Sequence, residues 1–259
     1  MPVDSEVTIV TVYPDLLGTY GDGGNGSVLR GRLVARGMRA SLLEVRSSTP
    51  VPETADIYLL GGGEDAPQIE AARRLRTSGA LSKAVGNGAV VFAVCAGLQI
   101  IGETFVDGDD KPIDGLGLLD LRTTKMGGPR AVGEILLESS LPGYSGRISG
   151  YENHSGGTQL GTGVKPIGRV LVGTGNDRHS RCDGAFSEKV VATYLHGPVL
   201  ARNPKLADYL LKLIVGEMPA IQDRTLVQLG KQLHGDRVAA AYRSESKRGV
   251  LSAWRSLRG

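Results

Sequence analysis

Four short apolar runs near the start of the chain alternate with stretches of helical spacing, and no other feature restricts the fold as much. VTIVTVY (Val7 to Tyr13), ASLLEV (Ala40 to Val45), DIYLLGGG (Asp56 to Gly63) and AVVFAV (Ala89 to Val94) read as strands. Val28 to Arg36, Ile69 to Val85 and Ala96 to Thr104 read as the helices beside them. Such β-α-β alternation requires a mostly parallel sheet covered by helices on both faces. In sheets of this kind reactive groups lie beyond the carboxyl ends of the strands. The residues that follow each apolar run are therefore the first candidates for function.

The pattern changes after Gly108. GLGLLDL, AVGEILLES, GRISGYE, PIGRVLVGTG and KVVATYL are short strands between Gly-rich turns, read as a mostly antiparallel continuation of the same domain. Pro204 to Val215 reads as a helix, and Arg224 to the end as helical and basic. Two divisions are expected: a domain over 1–218 and a C-terminal helical basic extension over 219–259. On composition alone the extension is a solvated amphipathic helix pair; a docking surface for an acidic partner is the sharper reading. The balance of 41% hydrophobic and 22% charged residues is that of an ordinary soluble domain. A net charge of +3 is too small to argue for nucleic acid. VVFAVCAGLQII is too short for a membrane span, and MPVDSEVTIV lacks the pattern of a signal peptide, so a cytoplasmic location is expected. No Cys/His spacing suggests a metal site.

The run VVFAV ends in Cys95, followed by Ala96 and Gly97. A cysteine on a sharp strand-to-helix turn is a nucleophile elbow: small residues allow the turn, and the helix N-terminus favours thiolate. A buried structural cysteine is the alternative that composition favours, and the strand-Cys-Ala-Gly-helix context reverses that order. Cys182, in SRCDG, reads as part of a polar turn with no strand behind it. A nucleophile needs a base. His196 ends KVVATYLHGP, where a strand leaves the sheet, and His154 in GYENHSGG is a second candidate. His179 lies in a polar loop, and His234 in the basic tail suits a surface or capping role. Gly61, Gly62 and Gly63 end the third strand, where backbone N–H groups can approach a ligand closely; a tight turn is the plainer explanation. Phosphate binding is disfavoured there and in GTYGDGGNGS, because no Lys-Ser/Thr pair follows the glycines.

These residues resemble a known family. CAGLQ (Cys95 to Gln99), the loop Gly61 to Gly63 and YLHGP around His196 are similar to a class I, triad-type glutamine amidotransferase of the cobyric-acid-synthase (CobB/CobQ-like) branch. YPDLLGTYGDGGN, GGGEDAPQ and GYENHSGGT narrow the resemblance to the GatD-type subunits of lipid II isoglutaminyl synthases. The resemblance covers roughly Val7 to Val215, and its strength lies in the order of the whole set of motifs. It implies an α/β three-layer fold with a mostly parallel central sheet flanked by helices and a C-terminal helical extension. It implies that Cys95 attacks the carboxamide of L-glutamine, that N–H groups near Gly62 or Gly63 and Ala96 hold the oxyanion, and that His196 is the acid and base. Arg130, in KMGGPRAVGE, would grip glutamine through its α-carboxylate, and Gln99 would line the pocket. By itself Arg130 would read as a surface arginine.

The resemblance further implies a heterodimer with a MurT-type, Mur-ligase-like subunit. That partner would bring lipid II, ATP and Mg, with no cofactor in this chain. An amidotransferase serving cobyrinic acid, a non-catalytic regulatory module and a PfpI-like hydrolase are the rival readings. One departure stands out. Many triad amidotransferases read His-x-Glu, whereas here the run is His196-Gly197-Pro198. Either a Cys-His dyad suffices, or an acid comes from elsewhere, Glu152 or a carboxylate of the partner.

Overall fold

The computed structural model describes residues 6–256. The N-terminal half runs β1 (Val7–Val12), α1 (Gly24–Val34), β2 (Ala40–Val45), β3 (Ile57–Leu60), α2 (Asp65–Ser78), α3 (Ala80–Gly86), β4 (Val90–Val94) and α4 (Ala96–Ile101). Then come β5 (Thr104–Val106), β6 (Pro112–Asp114), β7 (Leu121–Lys125), β8 (Ala131–Ser139), β9 (Arg147–His154), β10 (Gly156–Leu160) and β11 (Gly168–Val172). The chain closes with β12 (Cys182–Asp183), β13 (Ala185–Ser187), β14 (Val190–Thr193), α5 (Val199–Arg202), α6 (Pro204–Val215) and α7 (Arg224–Ser256).

The central sheet has the order β13-β14-β4-β3-β1-β2. All its pairings are parallel except β13 with β14. Every residue of β3, β4 and β14 is buried, as expected for strands covered on both faces. The strand order reverses at β1, since β2 and β3 lie on opposite sides of it. The crevice beyond the carboxyl ends of β1 and β3 is therefore a natural binding position. Among the described residues no helix is long and apolar enough to cross a membrane.

Several expectations are corrected in detail. KVVATYL does not continue an antiparallel region: its core, β14, pairs parallel with β4, Thr193 opposite Val94. Four consecutive buried residues suit an interior parallel strand, and the pairing carries His196 to the edge where Cys95 sits. The remaining strands do not extend the central sheet. They form two further sheets, β10-β7-β5-β6 and β12-β11-β8-β9. The helix expected over Ile69 to Val85 is broken at Gly79, whose φ of 64° ends α2 in a left-handed cap. Cys182 does lie on a short strand, pairing with Arg169 of β11. The basic tail forms one helix of 33 residues rather than a pair. Val238 and Ala241 of that helix pack against Leu136 and Val172, so α7 is anchored on the β8/β11 sheet.

The turn from β4 into α4 depends on a close approach. A Cβ on Gly97 would meet the Cβ and the carbonyl oxygen of Leu60 at 2.8 Å, and Gly97 N–H donates to the Gly61 carbonyl at 3.1 Å. Gly97→Ala should therefore destabilise the fold by about 1–3 kcal/mol through overpacking against backbone. Gly86→Ala, whose Cβ meets nothing within 4 Å, is the control and should be neutral or slightly stabilising. Thermal unfolding of the two variants measures the difference.

Candidate active site

Cys95 sits between β4 and α4 with φ 53° and ψ −103°, a conformation costly for any residue with a side chain. Two neighbours hold it there. Its N–H donates to the Thr193 carbonyl at 2.9 Å, and α4 begins at the next residue. As the first residue of α4, Ala96 has an N–H without an intrahelical acceptor. The turn thus presents the thiol and a free backbone donor at one point.

His196 follows β14 by three residues and is 1% exposed. Its backbone exchanges two hydrogen bonds with Tyr151 of β9, at 2.8 and 3.2 Å, which fixes the ring on the crevice edge. Nδ1 lies 2.8 Å from Oδ2 of Asp22, and that pair is fully shielded from solvent. Nε2 is buried and makes no well-aligned hydrogen bond among the described residues. Cys95 faces the ring and is among the groups that raise its pKa. Burial is the largest influence on His196 and acts to lower its pKa. The bond to Asp22 and the facing Cys95 act oppositely and prevail, pushing it up to about 10. A thiol, an imidazole and a carboxylate that orients it thus meet at one edge, the arrangement that nucleophilic catalysis requires.

Asp22 answers the question left by His196-Gly197-Pro198. Glu152, the in-chain candidate, is elsewhere: it accepts from the backbone N–H groups of Thr174 and Gly175, with His154 Nε2 at 3.8 Å. Asp22 lies in GTYGDGGNGS, a loop weighed above for phosphate and as part of the resemblance but not for a catalytic acid. Its signal was available: an acid among glycines just beyond β1, on the edge where β4 and β14 also end. The alternative base His154 is committed differently. Its ring stacks on Tyr194 at 3.7 Å, and Nδ1 donates to the Gly156 carbonyl at 2.9 Å. His179 is on an exposed turn, and His234 Nδ1 donates to the carbonyl of Arg202, the last residue of α5, at 3.0 Å.

The glycine loop is reassigned in part. Gly62 N–H donates to Asp22 Oδ2 at 2.9 Å, so it is not available to an oxyanion. A Cβ on Gly62 would also lie 2.5 Å from Cε1 of His196, so the missing side chain makes room for the imidazole. Gly63 N–H has no hydrogen-bond acceptor among the described residues and remains with Ala96 as a donor at this edge.

Arg130 is exposed at the rim, where Nε and Nη2 donate to the side-chain and backbone oxygens of Asn153 at 2.5 and 3.0 Å. Asn153 Nδ2 donates to the hydroxyl of Tyr20, whose ring lies 4.8 Å from that of His196. Arg130 is thereby tied to the imidazole through two side chains. Gln99 is held below: its Oε1 accepts from Gln68 at 2.7 Å and its Nε2 donates to the Tyr194 hydroxyl at 3.2 Å. Burial pushes the Cys182 thiol up, and Asp183 and Asp177 nearby add to that, which is the wrong direction for a nucleophile.

The sequence profile of the CobB/CobQ-like glutamine amidotransferase domain matches residues 8–204. The chain belongs to this family. It is a glutamine-hydrolysing amidotransferase. Over 209 residues the amidotransferase is 33% identical to the lipid II isoglutaminyl synthase (glutamine-hydrolyzing) subunit GatD of Staphylococcus aureus (strain N315), covering 80% of this chain and 84% of that protein. It is 32% identical over 227 residues to the same subunit of Streptococcus pneumoniae (strain ATCC BAA-255 / R6), covering 84% and 86%. A probable cobyric acid synthase of Methanothermobacter thermautotrophicus is 38% identical over 117 residues, which is 41% of this chain but 23% of that protein. A solved glutamine amidotransferase has the same fold, with a TM-score of 0.55 at 23% identity over 80% of this chain and 98% of the other.

Two outcomes are expected of this site. A glutamine-analogue electrophile such as diazo-oxo-norleucine should label Cys95 and leave Cys182 free; peptide mapping decides, and label on Cys182 contradicts the arrangement. Asp22→Asn removes the strongest influence raising the His196 pKa. The imidazolium should then lose its proton at lower pH, and the alkaline limb of the glutaminase profile should move down from near 10. An alkaline limb that stays in place would disconnect Asp22 from His196.

Proposed function

We propose that this amidotransferase hydrolyses L-glutamine and supplies the ammonia to a MurT-type, Mur-ligase-like subunit. With ATP and Mg, that subunit amidates the α-carboxyl of D-glutamate in lipid II. The observation that carries the reading is the similarity to two GatD subunits across most of this chain and most of theirs. The cobyric acid synthase matched above aligns over 23% of its length, whereas both GatD subunits align over most of theirs.

The geometry supports a definite route. Thiolate Cys95 attacks the carboxamide carbon of glutamine, and the N–H groups of Gly63 and Ala96 receive the charge on oxygen. Protonated His196, oriented by Asp22, gives its Nε2 proton to the departing nitrogen, and ammonia leaves. A thioester to Cys95 remains. Water then attacks the acyl carbon while His196 takes a proton from it, and collapse returns the thiolate and releases glutamate. The guanidinium of Arg130 suits a two-bond contact with the α-carboxylate of the substrate. Gln99, fixed by Gln68 and Tyr194, forms the floor beneath the side chain.

Reconstitution with lipid II, ATP and glutamine tests the assignment. Amidation is expected only when both chains are present. Cys95→Ala should abolish it with glutamine and leave it intact with an ammonium salt, because the synthetase step needs ammonia but not the thiol. If the pair hydrolyses glutamine and leaves lipid II unamidated even with ammonium, the acceptor is wrong while the glutaminase stands.

A further inference from the structure

Away from the catalytic edge, α6, α7 and the turn before β9 enclose a groove of about 220 Å³. Its floor is apolar, with Tyr144, Pro204, Leu226 and Val227. Its rim carries Arg147, Lys205 and Lys231, none of which has a carboxylate partner among the described residues. The lining has one carboxylate, Asp208, and it is already bound by Arg32 at 2.6 Å and Arg36 at 2.8 Å. The groove is thus an apolar channel with a surplus of positive charge, of which Arg147 is stacked over the Tyr242 ring at 5.1 Å.

The groove continues onto an open helix face. Leu226, Leu229 and Leu233 follow one stripe of α7 at helical spacing and are 41%, 57% and 38% exposed. Leu226 belongs to both the stripe and the groove. A stripe of large apolar side chains beside cations without carboxylate partners marks an interaction surface rather than a solvated face. A small anion has no use for the leucines outside the groove. The chain's own end, SESKRGVLSAWRSLRG, is basic and would be repelled. A lipid surface would engage a convex face, whereas Leu226 borders a concave one.

We propose that this groove and stripe bind an acidic amphipathic segment of the synthetase subunit, its apolar side chains on the leucines and its carboxylates on Arg147, Lys205 and Lys231. The proposal rests on the partnership put forward above and gives it a place. That place is connected to the catalytic edge. His234 and Asn203 line the groove, and both hold α5: His234 bonds the Arg202 carbonyl, and Asn203 Nδ2 donates to the Val199 carbonyl at 2.7 Å. The N–H of Leu200 in α5 donates to Asn25 Oδ1 at 3.0 Å, and the N–H of Asn25 donates to the Asp22 carbonyl at 3.0 Å. A segment seated in the groove therefore presses on the helix that separates it from the Asp22–His196 pair.

The test titrates the Mur-ligase-like subunit with the wild-type chain and with a Lys205→Glu/Lys231→Glu double variant at several salt concentrations. The variant should bind roughly tenfold or more weakly, with a shallower salt dependence. Its thermal unfolding and its glutaminase activity in isolation should match wild type. Leu229→Ser reads the apolar half independently and should also weaken binding, with little effect of salt. Wild-type and variant chains that bind equally well overturn the groove and leave the partnership standing. A wild-type chain that fails to bind the subunit overturns the partnership itself. Phosphatidylglycerol vesicles form the third arm: if they retain the wild-type chain, release the double variant and compete with the subunit for neither, the surface serves a membrane and the proposal falls.

Discussion

The buried pair Asp22–His196 organises the catalytic edge of this molecule. Both side chains are shut off from water, at 0% and 1% exposure. Ions so placed are tolerated only when their remaining hydrogen-bond capacity is met. Asp22 meets it with donors from two other loops, the N–H groups of Gly62 and, at 3.4 Å, Gly197. One carboxylate thereby clasps the loops after β1, β3 and β14. Removing a single partner from such a pair typically costs about 3–5 kcal/mol, because the other charge stays buried and uncompensated. Stability and catalysis share the same contact here, so the imidazole cannot wander without loosening three loops.

That clasp gives the glycine run its meaning. The β3 loop must lie against the β1 loop and under the imidazole at once. A Cβ at Gly61 would stand 2.2 Å from the Leu17 carbonyl oxygen, and one at Gly62 would strike His196. All three glycines are therefore packing requirements, since a Cβ at Gly63 would also lie 2.9 Å from the Leu16 carbonyl oxygen. Gly63 alone is left to offer its N–H to a ligand. The sequence weighs backbone donors against a tight turn, and the structure supports both: every glycine of the run is needed for space, and Gly63 also keeps its N–H free for a ligand.

What could be read without coordinates follows from how local each signal is. Cys95 was legible because the elbow is written in adjacent residues, an apolar run followed by Cys-Ala-Gly. His196 was legible because it ends another apolar run. Asp22 was legible only as an acid among glycines beyond β1; its partner was not, since His196 lies 174 residues away and the parallel pairing of β14 with β4 brings the two together. That pairing was itself misread. Four apolar residues carry no mark of strand direction, and the antiparallel neighbourhood of β8 to β12 suggested the wrong one. The break at Gly79 was hidden for a similar reason: apolar spacing continues on both sides of a single left-handed residue.

The clasp also narrows how a synthetase could control the glutaminase. A carboxylate supplied by a partner could activate His196 only if Nδ1 lacked an acceptor, and Nδ1 already has Asp22 at 2.8 Å. Control must then act where the site is less tightly determined. One such place is the contact between Nε2 and Cys95, which falls short of a well-aligned hydrogen bond. Another is the exposed rim, where Arg130 reaches His196 through Asn153 and Tyr20. A shift of a few tenths of an ångström at either place changes the alignment of proton transfer or the seat of the substrate carboxylate, and neither requires the buried ion pair to move. On the route proposed above, the molecule thus keeps the Asp22–His196 pair rigid and leaves adjustable the two contacts that glutamine would complete.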